Sequence, residues 1–578
     1  LSSRRKRVLN RLHARWAAFA RPATAFTTTP EPRTIGSFAR GRQITGGNFL
    51  FAGYLVQAPG VSIWDLPMPD AGFEAELHGF TWLDDLAAVG DIHTTKRAQN
   101  WTHDWVERFG RGKGPGWTPD LTGRRLIRWI NHAILLLNGQ ERGVSEAYFR
   151  SLSRQTIFLS RRWKAASPGL PRFEALTGLI YAGLALEGMN AHVDVALKAL
   201  ARECEREIDA EGGLTTRNPE ELLEVFTLLT WAADALTDAG RMPGAAHMTA
   251  IGNVAPVLRA LRHADGGLAR FHGGGRGLDG RLDRALAGAG VKGGPRHERA
   301  MGFARIAHGR TSIVMDAAPP PGGEASANAH ASTLAFELTS GRRPVVVNCG
   351  SGATFGKSWR RAGRATPSHS TLGIEGYSSS RLGAVGENSG SEAEYLVDRP
   401  REVGFERADV EGGTRIVAGH DGYVGTHGLT HIRTLQIGFD GRSLRGEDVL
   451  LARTPQDEKR FDLMFDRSKL KGISYTIRFH LHPDVHATLD MNGTAVSIAL
   501  KSSEIWVFRF EGAVSLDLES SVYLEKTRLS PRATKQIVLS GAAVEYASRV
   551  SWSLAKTQDT PTAVRDFATD DSTVLATD

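Results

Sequence analysis

The sequence predicts a multidomain α + β protein: an N-terminal array of antiparallel helical hairpins, which a long chain can close into an (α/α) toroid, followed by a C-terminal antiparallel β-sandwich. Three observations carry this reading. Between roughly 76 and 262, apolar residues recur at three- and four-residue spacing. At 263–297, eleven glycines fall within thirty-five residues. Beyond them, short runs rich in β-branched and aromatic residues alternate with turn residues.

A chain of 578 residues is too long for a single core and calls for two domains or three. Hydrophobic content of 41% and charged content of 23% are those of a globular protein, and no apolar run is long enough to span a bilayer. Two cysteines, Cys204 and Cys349, fall in different predicted domains, which argues against a disulfide framework. The net charge of +8 favours polyanionic partners without choosing among them. Zinc-finger spacing, RNP motifs and a phosphate-binding loop are absent from the sequence, so no nucleic acid is expected.

The segment 1–45 is basic, with Arg4, Arg5, Lys6, Arg7, Arg11, Arg15 and Arg21 ahead of the first acid, Glu31. A basic amphipathic helix fits here, and residues 4–21 could touch a membrane surface or pack on the first domain. The apolar stretch Ala17-Ala18-Phe19-Ala20 is cut by Arg21 and Pro22, which is not the pattern of a secretory signal. Residues 46–297 form the helical domain, with helices expected over 120–138, 145–164, 172–188, 192–208, 219–238 and 243–262. Asn218-Pro219-Glu220-Glu221 is a helix start, with Asn as cap, Pro in the first turn and acids facing the positive end of the helix dipole. Periodicity alone leaves toroid, solenoid and bundle open.

The glycine-rich stretch 263–297 reads as the interdomain connection. Strands are expected near 312–316, 333–338, 344–348, 474–481, 494–500, 504–510 and 536–539, within a sandwich domain of 298–555. The tail 556–578 has few apolar anchors and reads as disordered.

The densest chemistry lies at 328–376. His330 opens an alternating run, Asn348 closes the apolar run Val345-Val346-Val347, and His369 precedes a short strand at 371–374. Polar residues at the ends of neighbouring strands can converge on one site. The order Asn328-Ala329-His330-Ala331, a strand ending in an amide, then Arg364-Ala365-Thr366-Pro367-Ser368-His369-Ser370-Thr371 resembles the C-terminal domain of the heparinase II/III family of polysaccharide lyases.

That resemblance implies a toroid followed by a β-sandwich over most of the chain, a periplasmic or cell-envelope location, and cleavage of an acidic polysaccharide by β-elimination in a cleft between the domains. The visible N-terminus points instead to the cytoplasm. β-Elimination needs a group to neutralise the uronate carboxylate, a base to take the C5 proton, and an acid to protonate the departing oxygen. No organic cofactor is implied.

The sequence departs from the family's catalytic pattern at each expected place. Leu170 and Pro171 stand where an Asn-His-like pair is found, ahead of the helix motif Gly178-Leu179-Ile180-Tyr181-Ala182-Gly183. Glu221 takes the Tyr place, and Asn328 takes the place of a His. Two interpretations follow: a divergent lyase, or a noncatalytic glycan-binding or envelope-assembly protein of the same fold. In the first, the catalytic candidates are Asn328, Tyr423 and His272. Tyr423 leads as base or acid, because a phenol beside Arg or His loses its proton more readily. Substrate-binding candidates are Asn131, Arg172, Arg217, Asn218, Arg361 and Arg364.

For a metal, the resemblance implies zinc held by His330, an acid at position 348 and His369, but position 348 is Asn, whose neutral amide is a poor zinc ligand. Two histidines satisfied by hydrogen bonds, with Asn348 as donor and acceptor, is the competing arrangement. The cluster His420-Asp421-Gly422-Tyr423 with His427, His431 and Arg433 also resembles a family segment; a hairpin turn at Asp-Gly with Tyr423 at its edge is the plainer reading. Most of the twelve tryptophans are expected in the core.

Overall fold

The computed structural model describes residues 3–19, 21–28, 32–294, 297–383 and 393–557. From 558 onward the expected tail lies outside the described residues. The chain divides into a helical unit (1–212, 221–255 and 278–292) and a β unit (213–220, 256–277 and 293–578).

In the helical unit the expected periodicity becomes antiparallel packed helices. The pair Pro119–Asn131 and Arg142–Arg162 runs antiparallel, with Trp129 against Tyr148 and Arg125 against Gln155, while Leu170–Ala185 lies alongside the first helix in the same direction, Arg124 on Glu174 and Asn131 beside Tyr181. Leu126, Ile127, Trp129 and Ile130 of Pro119–Asn131, and Phe173, Leu176, Leu179 and Ile180 of Leu170–Ala185, are buried. These two helices cross at Gly123 and Gly178, where a Cβ on Gly178 would stand 2.5 Å from Gly123 Cα. Any side chain there would force the helices apart. Trp64, Trp82, Trp101, Trp105, Trp117 and Trp129 are buried, as expected of a core, and several pack tilted or edge-on against Phe80 and one another.

The glycine-rich stretch contains one element the sequence did not announce, a helix over Arg281–Ala289 between Gly280 and Gly290, both in the left-handed region. Here the amphipathic pattern of Leu282 and Ala285, both buried, outweighs the surrounding glycines.

The β unit holds two large antiparallel sheets among the described residues, of eight and nine strands. Their inner faces share one core that includes Ile313, Phe336, Val345, Ile416, Leu435, Leu444, Phe479, Phe508, Leu539 and Trp552. The expected strands are present, and four more lie between 403 and 451: Val403–Val410, Gly413–Tyr423, Leu429–Gly438 and Ser443–Leu451. Their apolar residues alternate with polar and charged ones, so no compact apolar run marks them.

That alternation positions the second polar cluster. Along Gly413–Tyr423 the inward row is Thr414, Ile416, Ala418, His420 and, past an irregularity in the register, Tyr423. Along Leu429–Gly438 it is Leu429, His431, Arg433, Leu435 and Ile437. The register sets His420 opposite His431, and Arg433 opposite Asp448. The expected hairpin at Asp421-Gly422 is corrected: the strand runs through these residues, and the chain turns at the short helix Val424–His427.

Candidate functional site

Both polar clusters foreseen in the sequence lie in the β unit. The first begins at Asp316, which closes the wholly buried strand Thr311–Asp316. Its Oδ1 accepts from Arg217 Nη2 at 2.6 Å and its Oδ2 accepts from Ser332 Oγ at 2.7 Å. Burial alone would raise its pKa, but Arg217 and His272 more than offset this and hold the carboxyl far below its usual range. His272 Nε2 stands 3.3 Å from Asp316 Oδ2, without the alignment of a hydrogen bond. His272 has a φ of +47°, followed by Gly273 at +86°. A Cβ on Gly273 would stand 3.0 Å from Asn328 Cβ, so this left-handed pair lets the two segments approach closely.

The His330 N–H donates to His272 Nδ1 at 3.2 Å. His330 Nδ1 and His369 Nε2 are 3.0 Å apart, and His369 Nδ1 lies 2.9 Å from the Ala365 carbonyl oxygen. These partners assign the tautomers: His369 donates from Nδ1, so its Nε2 accepts from His330 Nδ1–H. Burial, and next the neighbouring His369, depress His330 well below 6.5, and burial lowers His369 to about 3. Both rings are therefore neutral near pH 7. Of their nitrogens only His330 Nε2 has no hydrogen-bond partner among the described residues.

Asn348 does not complete a ligand set with these histidines. Its Oδ1 accepts from Ser370 N–H at 3.0 Å, and its Nδ2 faces Glu337 Oε1 at 3.4 Å. Two imidazoles hydrogen-bonded to each other, beside an amide engaged elsewhere, do not fit zinc, which takes ligands that are Cys, His or carboxylate. Among the described residues, no third His, Cys, Asp or Glu joins the pair.

The second cluster is a buried chain. Gly422 N–H donates to His420 Nδ1 (3.0 Å), His420 Nε2 faces His431 Nδ1 (3.3 Å), and His431 Nε2 faces Asp448 Oδ1 (2.7 Å). Since His420 Nδ1 is an acceptor, both rings carry the proton on Nε2 and donate toward Asp448. Asp448 also receives Arg433 through Nε at 2.8 Å and Nη2 at 3.0 Å, and Trp552 Nε1 at 2.9 Å. Arg433 Nη1 donates to the carbonyls of Leu334 and Ser370, tying the two clusters together.

Tyr423 reverses the expectation attached to it. It is buried in the sandwich core, its hydroxyl donates to the Leu372 carbonyl at 3.2 Å, and desolvation raises its pKa above the usual phenol value. A phenol in that setting holds its proton more tightly, not less.

The remaining candidates divide by exposure. Asn328 is exposed, and its Oδ1 accepts from Arg360 Nη2 at 3.0 Å. Arg361 is exposed and paired with Glu394. Arg364 is buried, with burial lowering its pKa to about 10, and its guanidinium binds the carbonyls of Ala329, Glu394 and Ser326. Arg217 likewise binds the carbonyls of Met301, Gly302, Ala318 and Pro319 besides Asp316. Asn218 Oδ1 accepts from Glu220 N–H, the expected helix cap. In the helical unit, Asn131 is buried, with Oδ1 accepting from Arg33 N–H, and Arg172 pairs with Glu203. Sequence reasoning missed Asp316, Ser332, Asp448 and Arg360. An acid ending an otherwise apolar strand was a usable signal for Asp316; Asp448 beside Glu447 gave none.

The comparisons agree with this architecture. Residues 292–553 match the model of the heparinase II/III-like C-terminal domain. The chain is 30% identical over 551 residues to FtsZ-localized protein C of Caulobacter vibrioides, covering 94% of this chain and 92% of that protein. Among solved structures, heparinase III superposes with a TM-score of 0.64 at 12% identity, covering 95% of this chain and 89% of that one. Heparan sulfate lyase HepC from Pedobacter heparinus gives a TM-score of 0.56 at 14% identity, covering 96% and 89%. The fold is the helical toroid plus β-sandwich that the sequence predicted. With a relative matched over nearly its whole length and the C-terminal domain matched by the family model, the chain belongs to the heparinase II/III-like family, as a divergent member.

Proposed function

We propose that this chain is a noncatalytic member of its family, a cell-envelope protein that binds an acidic polysaccharide without cleaving it and acts where cells divide. One observation carries the reading. Each titratable candidate for base or acid, namely His272, His330, His369, His420 and Tyr423, is buried, and burial lowers the pKa of the four histidines and raises that of the tyrosine, against proton uptake by the first and proton loss by the second. The replacements at Leu170, Pro171, Glu221 and Asn328 point the same way. The relative matched over nearly its whole length is an FtsZ-localized protein, which supports the site of action.

The N-terminal helix Ser3–Ala17 supports contact with an anionic membrane surface. Asn10, Ala14 and Ala17 are buried. Val8, Leu12 and Trp16 are 50, 41 and 55% exposed and form one stripe at helical spacing, flanked by Arg7, Arg11 and Arg15, and Phe19, 89% exposed, stands in the turn that follows. An apolar stripe edged with arginine suits the boundary between headgroups and acyl chains.

One observation favours β-elimination instead. His330 Nε2 has no hydrogen-bond partner among the described residues and lies on the strap that begins at the exposed Asn328, where Arg360 supplies positive charge. Its depressed pKa makes it a weak base. A fluorescent fusion imaged in dividing cells tests the proposal: a band coincident with FtsZ is expected, and uniform distribution would overturn it.

A further inference from the structure

The helical unit contains a cavity of about 270 Å3 that the family's catalytic pattern does not use. Thr227, Trp231 and Asp234 reach it from successive turns of the helix Pro219–Asp238. Arg281 and Arg284 reach it from one face of the helix Arg281–Ala289, and Arg33 from the segment ahead of Phe38–Thr45.

The lining carries three guanidiniums and one carboxylate. Arg33 binds Asp234 at 2.8 Å and also Asp238. Arg281 binds Glu224 through Nη1, while its Nε is buried with no hydrogen-bond partner. A buried donor left without an acceptor is destabilising, so an oxygen arriving at Arg281 Nε would recover stability. Arg284 is exposed and has no ion pair among the described residues. Arg284 and the Nε of Arg281 are thus the donors left open to an incoming anionic group. Thr227 and Thr230 already donate to the carbonyls of Leu223 and Thr227, which leaves their oxygens as acceptors. Asp234 accepts hydroxyl protons, and Trp231 offers an apolar wall. The cavity is just below the range of about 300–1,000 Å3 typical of small-molecule sites, room for one ring and not for a chain.

We propose that this cavity binds a single sugar acid, its carboxylate on Arg281 Nε and Arg284 and its hydroxyls on Asp234, Thr227 and Thr230. The inference rests on the glycan-binding reading and gives it a site. The sugar acid could arrive free or as the terminal residue of a glycan; the chemistry is shared.

The test is calorimetric titration of the full chain with D-glucuronate, D-glucose and a size-defined oligouronide, repeated on Arg284→Gln and Arg281→Lys. Arg284 is exposed, so its substitution leaves the fold intact. Saturable binding of glucuronate and not of glucose, weakened about 10-fold or more in both variants, is the expected result. Binding of the oligouronide lost in the same variants identifies a chain end; its absence alongside glucuronate binding identifies a free sugar acid. Glucuronate binding that both variants retain, or none at all, overturns the inference. If the oligouronide still binds in that case, the glycan-binding reading stands without this site; if it does not, both fall.

Discussion

His330 Nδ1 and His369 Nε2 face each other across 3.0 Å inside the β unit, each imidazole neutral and the pair oriented by the Ala365 carbonyl. The bond joins the strap at 328–332 to the segment that follows the helix Lys357–Arg364. His369→Ala removes the acceptor of a buried N–H and is expected to destabilise the fold by about 1–3 kcal/mol. A chemical denaturation midpoint unchanged from wild type would contradict this role.

Stability should fall with pH between about 6.5 and 4. Burial holds His369 at about 3 and His480 at about 4, and His330 and His420 well below 6.5. Unfolding releases these rings to take up protons at their ordinary pKa, so the unfolded state binds more protons below 6.5 and stability declines as pH drops. Each ring that stays neutral in the fold costs up to about 1.4 kcal/mol per pH unit in that window. Asp316 and Asp448, held low, add their own loss only below about pH 4. Denaturation curves from pH 7.5 to 4.5 check the sign; a stability independent of pH over that window would contradict the burial of neutral histidines.

Gly446 is fixed by Trp552. A Cβ there would stand 2.1 Å from the indole ring, opposite which Gly446 sits in the register. Displacing the indole breaks its bond to Asp448 Oδ2 and frees one edge of the Arg433–Asp448 pair. Gly446→Ala is expected to cost about 1–3 kcal/mol from overpacking, with the lost buried hydrogen bond in addition. Thermal melts of the variant measure it.

The exposed stripe Val8, Leu12 and Trp16, with Phe19 in the turn that follows, predicts sedimentation with vesicles that contain anionic lipid. Trp16→Glu, or deletion of residues 1–19, should reduce the bound fraction several-fold, and binding should weaken as salt screens the arginines. Equal sedimentation of wild type and deletion would remove this segment as the contact.

How much of this was legible in the sequence varies by element. The helical hairpins were legible because Leu126, Ile127, Ile130 and their counterparts repeat at helical spacing. The strands at 403–451 were not, because Arg433, His431, His420 and Asp448 occupy inward positions where a strand normally shows apolar residues. The first polar cluster was legible as a set of residues, since His330, Asn348 and His369 stand out at strand ends. What they do was not: the direct contact of two imidazoles, and the Ser370 N–H that occupies Asn348 Oδ1, depend on pairings across 39 and 22 positions. Tyr423 was misjudged for the same reason, because its neighbours in sequence include His420 and His427 while its hydroxyl meets Leu372, 51 positions away.

The central claim, that the family fold persists here without its eliminating activity, is tested most directly by incubating the purified protein with a panel of acidic polysaccharides. The ultraviolet absorbance of the unsaturated uronate that β-elimination creates is followed alongside binding of the same polymers, for wild type, Tyr423→Phe and His330→Ala. The account predicts binding with no rise in absorbance. A steady rise with wild type, retained in Tyr423→Phe and abolished in His330→Ala, would contradict it and make His330 the base of a divergent lyase.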